Sequence, residues 1–329
     1  MTSFQAFKIT KSEDSITSNI ETLSQKDLPS SDVLIRVHYS SVNYKDGMVS
    51  QLNNALVKEY PIVPGIDLAG EVVSSRDPRF KEGDRVIATS YEIGVSHYGG
   101  YSEYASVPAD WIVPLPDGLT LEQSMILGTA GFTAALSLHK LEQHGLKPED
   151  GPVLVTGATG GVGSMAVALL DKRGYTIEAS TGSPEHKAYL KELGANKVIS
   201  REDVYDSELK PLSSQKWAAA IDPVGGGQLA SILGKLQYNG AAAVSGLTGG
   251  TKIPTQVYPF ILRGISLIGI DSVYCPMETR KKVWHRLAND LKIKDALDQM
   301  KMTITLQEIP DTLEQILAGE TRGRTIVQL

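Results

Sequence analysis

Cysteine, positive charge and long apolar runs are what this chain has least of, and each shortage removes a class of protein. One cysteine, Cys275, stands among 329 residues, so no internal disulfide can form and a four-cysteine zinc site cannot be built. No apolar run reaches the roughly 18 residues that a membrane-spanning helix needs. From Met1 to Asp14 the chain carries charges and hydroxyls where a signal peptide would need an uninterrupted apolar stretch, which predicts a cytoplasmic protein. Thirty-two Lys and Arg face 38 Asp and Glu, a net charge of −6, so there is no basic surface to neutralise a nucleic-acid backbone.

What is present is a soluble, globular composition, 41% hydrophobic and 21% charged. The length predicts two domains sharing one cleft. From Val33 to about Pro116 short strands and turns alternate: Val33 to Tyr39, Leu68 to Val73 and Asp84 to Ala88 read as strands set off by Pro and Gly. Leu121 to Leu141 then takes up helical spacing, which puts a boundary near residue 122. Strand-like and helix-like segments alternate from Pro152 to Ile270, the pattern of a doubly wound α/β fold with a parallel sheet. A last strand pair, Thr303 to Leu306 and Thr325 to Leu329, flanks a helix at Asp311 to Ala318 and is placed to pack back on the N-terminal β region.

The strand Val153-Leu154-Val155 runs straight into Thr156-Gly157-Ala158-Thr159-Gly160-Gly161-Val162-Gly163 and then a helix. Glycines there let backbone approach a pyrophosphate, and the N–H groups at the helix start favour its charge. Gly157, Thr159, Gly160, Gly161, Val162 and Gly163 are therefore candidate cofactor residues. A tight turn without a ligand is the plainer alternative. The tip of the next strand reads Ser180-Thr181-Gly182-Ser183, with no carboxylate for the ribose of NAD. Hydroxyls and N–H groups at Thr181, Gly182 and Ser183, with Arg201 nearby, suit the 2′-phosphate of NADPH. Glu178 falls two residues short of the tip. A short-chain dehydrogenase would need Tyr-x-x-x-Lys, and none of the 13 tyrosines has a lysine four residues on.

Val63-Pro64-Gly65-Ile66-Asp67-Leu68-Ala69-Gly70-Glu71-Val72, Gly83-Asp84-Arg85-Val86, Gly99-Gly100-Tyr101-Ser102-Glu103-Tyr104-Ala105 and Gly128-Thr129-Ala130-Gly131-Phe132-Thr133-Ala134 resemble, in order and spacing, the medium-chain dehydrogenase/reductase family. The likeness runs almost the full length. Asn43-Tyr44-Lys45-Asp46, Asp271-Ser272-Val273 and Gly323-Arg324 are similar to its zinc-free quinone oxidoreductase branch, and in particular to the acrylyl-CoA reductase-like subgroup. The resemblance implies a GroES-like β-rich catalytic domain over 1–122, completed by 291–329, and a Rossmann NADPH-binding domain over 123–290. It adds Leu247, Ile261 and Ser272 to the cofactor contacts, and implies a homodimer paired through the edge strand that ends at Ile270. Where the subgroup has an asparagine, this chain has Gly319.

Zinc members of the family ligate their catalytic metal through a cysteine near Asn43-Tyr44 and through Gly-His-Glu, where this chain has Gly65-Ile66-Asp67. Neither ligand is present. The histidines, at 38, 97, 139, 144, 186 and 285, show no metal-ligand spacing, and His139 and His144 read as surface residues. No metal is expected. The chemistry suited to such a site is hydride delivery to an already electrophilic acceptor: an enoyl thioester or enone, or alternatively a quinone. Tyr44 is the candidate contact for nicotinamide and substrate and the candidate proton donor; Asp46 is the candidate for orienting it, with helix capping as the alternative role. A non-enzymatic NADPH-binding redox sensor or structural dimer is the reading from a different class.

Overall fold

Side chains along Val33–Val42 are buried at most alternate positions, which makes that segment a strand with one face to a core. In the computed structural model, which describes residues 3–206 and 208–329, it is β3. Before it, β1 (Ser3–Lys11) and β2 (Ile16–Ser24) form an antiparallel pair. After it come α1 (Tyr44–Val49), β4 (Asp67–Ser75), β5 (Arg85–Thr89), β6 (Tyr104–Val107) and β7 (Ile112–Pro114). The helical spacing noted from Leu121 is real but broken: α2 (Leu121–Gln143) leaves helical geometry at Gly128 (φ 50, ψ −156).

The alternation that follows is β8 (Val153–Val155), α3 (Gly161–Lys172), β9 (Ile177–Ser180), α4 (Lys187–Glu192), β10 (Lys197–Ile199) and β11 (Trp217–Asp222). It continues through α5 (Gly226–Leu233), β12 (Leu236–Val244), α6 (Tyr258–Arg263) and β13 (Ser266–Gly269). Then α7 (Met277–Ala288), α8 (Lys294–Met300), β14 (Lys301–Ile304), α9 (Ile309–Ala318) and β15 (Arg324–Gln328) complete the chain.

The chain divides into two compact units, Met1–Thr129 with Val273–Ala288 and Leu297–Leu329, and Ala130–Ser272 with Asn289–Ala296. In the first, a seven-stranded sheet runs β14-β15-β3-β4-β5-β7, with β6 also paired to β3. The C-terminal strands therefore do return to the N-terminal region: Thr325 lies opposite Val42, and Gln328 opposite Tyr39. Its cores gather Phe4, Phe7, Ile9, Ile66 and Tyr101 on one side, and Val33, Ile35, Leu68 and Ile112 on the other.

The second unit is built on six strands in the order β10-β9-β8-β11-β12-β13. Every pairing is parallel. With the strands renumbered within the unit this order is 3-2-1-4-5-6, that of a dinucleotide-binding fold. Every residue of β8 and β11 is buried, as strands covered on both faces must be. Among the described residues no helix is long and apolar enough to cross a membrane.

Candidate active site

Tyr44 opens α1 and is 40% exposed. The helix starts there because the Asn43 N–H donates to Asp46 Oδ2 at 2.8 Å while the Asp46 N–H donates to the Asn43 carbonyl at 2.9 Å. Asp46 is fully buried, and its other oxygen accepts the Ile66 N–H at 3.0 Å. Its carboxyl thus fastens the first turn of α1 to the segment that leads into β4. Gly47, one residue on, lies against α9, where a Cβ would come within 2.9 Å of Leu317 Cγ. The C-terminal helix therefore sets how the helix bearing Tyr44 lies.

Behind this turn is a buried polar cluster that the sequence reading had not assembled. Asp67 Oδ2 accepts from Ser41 Oγ at 2.6 Å, Asn43 Nδ2 at 2.8 Å and the Thr129 N–H at 2.8 Å, while Oδ1 accepts from Thr129 Oγ1 at 2.5 Å. Arg324 reaches in from β15: its guanidinium donates to the Ile126 and Val42 carbonyls, Asn43 Oδ1 and Ser41 Oγ, and stands 4.0 Å from Asp67. The break in α2 at Gly128 delivers the Thr129 N–H to this cluster. A Cβ at Gly128 would lie 2.6 Å from Asp67 Oδ2 and 2.8 Å from Arg324 Nη2, so glycine is required both for the positive φ and for the space.

Burial dominates the electrostatics. It raises Asp46 to about 7, helped by the neighbouring Asp67 and opposed by the N–H bonds from Asn43 and Ile66. It lowers Arg324 from its ordinary value, with Asp67 and Asp46 opposing. It pushes the fully buried Tyr101 phenol well up, and the Asp46 charge adds to that. One guanidinium thus faces two carboxyls, and the carboxyl of Asp46 holds a proton up to near neutrality.

Thr129, which binds Asp67, is also reached from another side. Ser90 Oγ lies 3.0 Å from Thr129 Oγ1, and both Ser90 (φ 67) and Tyr91 (φ 49) hold left-handed backbone conformations that side-chain-bearing residues rarely adopt. The Tyr91 ring is stacked on Trp111 at 5.6 Å and carries the buried Arg280 guanidinium on it at 4.5 Å. Arg280 in turn donates to Thr89 Oγ1 and to the Val273 carbonyl, each at 3.0 Å. That stack and those bonds hold the strained pair in place.

In the second unit the glycine turn lies between β8 and α3. The N-cap, Gly160, offers no side-chain acceptor to the N–H groups of the first turn of α3, so that turn is bare, as an anion site requires. Thr159 Oγ1 stands 3.4 Å from Thr181 Oγ1, which accepts the Ser183 N–H at 3.0 Å. Arg201 lies against Gly182, where a Cβ would collide with the guanidinium. The structure therefore brings together Gly157 to Gly163, Thr181 to Ser183 and Arg201. Glu178 is excluded from this group: it accepts Trp217 Nε1 at 2.9 Å and pairs with Lys197 at 3.3 Å. Leu247, 53% exposed, sits in the loop after β12, and Ile261, 66% exposed, on α6. Ser272 ends the first segment of this unit.

The donors present do not fit a zinc ion. Ile66 is apolar and buried, Asp67 is taken up by four donors, and among the described residues no group of three or more His, Cys, Asp or Glu could hold a metal. Of the two histidines read as surface residues, His144 is exposed but His139 is buried at 7% exposure, because α2 turns that face inward.

Two family models match the chain: the alcohol dehydrogenase GroES-like domain over residues 29–117 and the zinc-binding dehydrogenase over residues 161–289. A Bacillus subtilis protein named as quinone oxidoreductase YhfP is 60% identical, covering 100% of this chain and 99% of its own. Acrylyl-CoA reductase AcuI of Ruegeria pomeroyi is 47% identical, covering 99% of each. Among solved structures, YhfP of Bacillus subtilis with NAD bound matches with a TM-score of 0.98 at 59% identity, covering 100% of both chains. The yhdH oxidoreductase of Salmonella enterica in complex with NADP matches with a TM-score of 0.96 at 43% identity, covering 99% of both.

Proposed function

The chain belongs to the medium-chain dehydrogenase/reductase superfamily, and from that premise we propose that it is an NADPH-dependent reductase of an activated carbon–carbon double bond, acrylyl-CoA or a related enoyl thioester or enone. The donor set around Asp67 carries the reading. Where zinc relatives polarise an alcohol through metal ligands, this chain has Asn43, Ile66 and a carboxylate already engaged by Ser41, Asn43 and Thr129. An acceptor that needs no Lewis acid suits those residues, and a conjugated thioester is one. Two relatives named acrylyl-CoA reductase, at 47% and 43% identity, support the thioester; YhfP supports a quinone as the second reading.

Bound NADPH supplies the hydride, which goes to Cβ of the acceptor while a proton goes to Cα. The bare first turn of α3 takes the pyrophosphate, and Arg201, seated on Gly182, pairs with the 2′-phosphate. Thr159, Thr181 and Ser183 supply hydroxyls and N–H groups on either side, and Leu247, Ile261 and Ser272 line the remainder. Tyr44, exposed at the start of α1, packs on the substrate and supplies the proton; Asp46 acts through the cap that fixes Tyr44. No step calls on a metal. The protein works as a cytoplasmic homodimer joined through β13, the edge strand, with Tyr258 and Leu262 of the preceding helix exposing apolar surface.

Mixing protein and NADPH with acryloyl-CoA, crotonyl-CoA and a set of quinones, and following the nicotinamide absorbance, tests this. Fastest oxidation is expected with an enoyl thioester. Oxidation by quinones alone would replace the first reading with the second, and no oxidation with any acceptor would sink both.

A further inference from the structure

Asp222, the last residue of the central strand β11, is fully buried and takes no part in the chemistry proposed above. Its carboxyl nevertheless joins two segments of the cofactor unit. One oxygen accepts from the Thr156 hydroxyl, at the residue that leads into the glycine turn. The other accepts the Gly225 N–H at 2.8 Å, in the turn that follows β11.

That second turn meets a third with no side chain between them. A Cβ on Gly226 would collide with the Gly249 carbonyl, and one on Gly246 with the Pro223 carbonyl. The Gly249 N–H donates to the Val224 carbonyl at 2.8 Å, and the Ser245 N–H to the Asp222 carbonyl at 3.0 Å. On the other side, a Cβ on Gly157 would come within 3.1 Å of Val224 Cγ2. The turns after β11 and β12 are thus packed backbone to backbone, and the turn after β8 meets them through the Val224 side chain and the Thr156–Asp222 bond; so close a packing transmits a displacement rather than absorbing it. Burial raises the Asp222 carboxyl from its usual value while the Thr156, Gly225 and Val224 donors pull it back.

We propose that Asp222, through Thr156 and the Gly225 N–H, is a positioning residue that sets the spacing between the phosphate-binding turn and the 246–250 loop, and so between the seat of the pyrophosphate and the cofactor contact expected at Leu247. The proposal rests on the oxidoreductase reading. A ligand that touches both turns should feel the spacing; a fragment confined to the adenosine end should not.

Calorimetry on the full chain with NADPH and with adenosine 2′,5′-bisphosphate separates the cases. Asp222→Asn and the near-isosteric Thr156→Val are expected to bind the bisphosphate within about twofold of wild type but NADPH about tenfold more weakly, the scale of one hydrogen bond to a charged group. Thr156→Ser, which keeps the hydroxyl, should restore NADPH affinity. Equal losses for both ligands, or no loss for either, would overturn the positioning role. A wild-type protein that took up neither ligand would sink the oxidoreductase reading, and this proposal with it.

Discussion

The two units dispose of the polar groups of their candidate site residues in opposite ways. Around Asp67 in the first unit, Ser41, Asn43, Thr129 and Arg324 are buried or nearly so and bonded to one another. Around Gly161 in the second, backbone N–H groups at a helix start face outward with no side-chain cap. A closed polar cluster is costly to break, since each member left alone bears its full desolvation penalty; an open one costs little to alter until a ligand arrives. Mutations in the first unit should therefore appear in stability, and those in the second in binding.

The severest test is Arg324→Met, which leaves Asp46 and Asp67 buried with no cation. We expect a loss of up to about 5 kcal/mol, the scale of breaking a buried ion pair from one side. Denaturant unfolding of wild type and variant measures it. A loss below about 1 kcal/mol would mean that the cluster is not what holds the segments at 41–46, 67 and 126–129 together.

The pH dependence of stability probes the same cluster through its proton. Asp46 is raised from 3.8 to about 7 in the folded chain, so between those values the folded state holds a proton that the unfolded state has released. Stability from this group is therefore fully present below about pH 4, falls as pH rises toward 7, and is level above it, a change on the order of 4 kcal/mol. Asp46→Asn, which cannot titrate, should flatten the profile between about pH 4 and 7: it should be about 1 kcal/mol less stable than wild type below pH 4, for the acceptor it gives up, and more stable than wild type above pH 7. An equally steep profile in the variant would move the proton to another group.

The same contrast decides what could be read from the sequence. The turn from Val153 to Gly163 was legible because its chemistry is local: strand, glycines and helix follow one another, and the bare helix start needs nothing from elsewhere. The cluster at Asp67 was not, because its partners come from positions 41, 43, 129 and 324, which only the folded sheet brings together. Gly323-Arg324 and Gly128-Thr129 were visible as strings, yet nothing local says that one supplies a buried cation and the other breaks a helix; apolar periodicity runs straight through Gly128. Helix α7 went unread although Val283, Trp284 and Leu287 have helical spacing, because Arg280 on its inner face interrupts the pattern. The β1–β2 hairpin escaped because β2 has a single buried residue and is rich in hydroxyls, which leaves little alternation to see. Arg201 was legible as a charge; that its guanidinium lies against Gly182 was not.

In the open half, Arg201→Ala should leave stability within about 0.5 kcal/mol, as expected for an exposed side chain. Its kcat/KM with NADPH should fall about tenfold while that with NADH stays the same, because only the phosphate-bearing cofactor loses a charge-assisted partner. Steady-state kinetics with both cofactors gives the ratio. Equal losses with NADH would place Arg201 in the fold rather than at the 2′-phosphate.

The smallest expected effect lies where the closed half carries the candidate proton donor. At Gly47 a Cβ would meet Leu317 Cγ at 2.9 Å and Ile316 Cγ2 at 3.1 Å, both atoms of side chains that can shift. In Gly47→Ala the helix gains about 0.5–1 kcal/mol from the better helix former and loses a comparable amount to the contact, so net stability should move by less than about 1 kcal/mol. To the extent that those side chains do not yield, the inserted methyl tilts α1 away from α9. If Tyr44 delivers the proton, that tilt changes its aim, and kcat should fall severalfold while KM for NADPH holds. An unchanged kcat, with a crystal structure showing α1 displaced, would take the proton away from Tyr44 and give it to solvent.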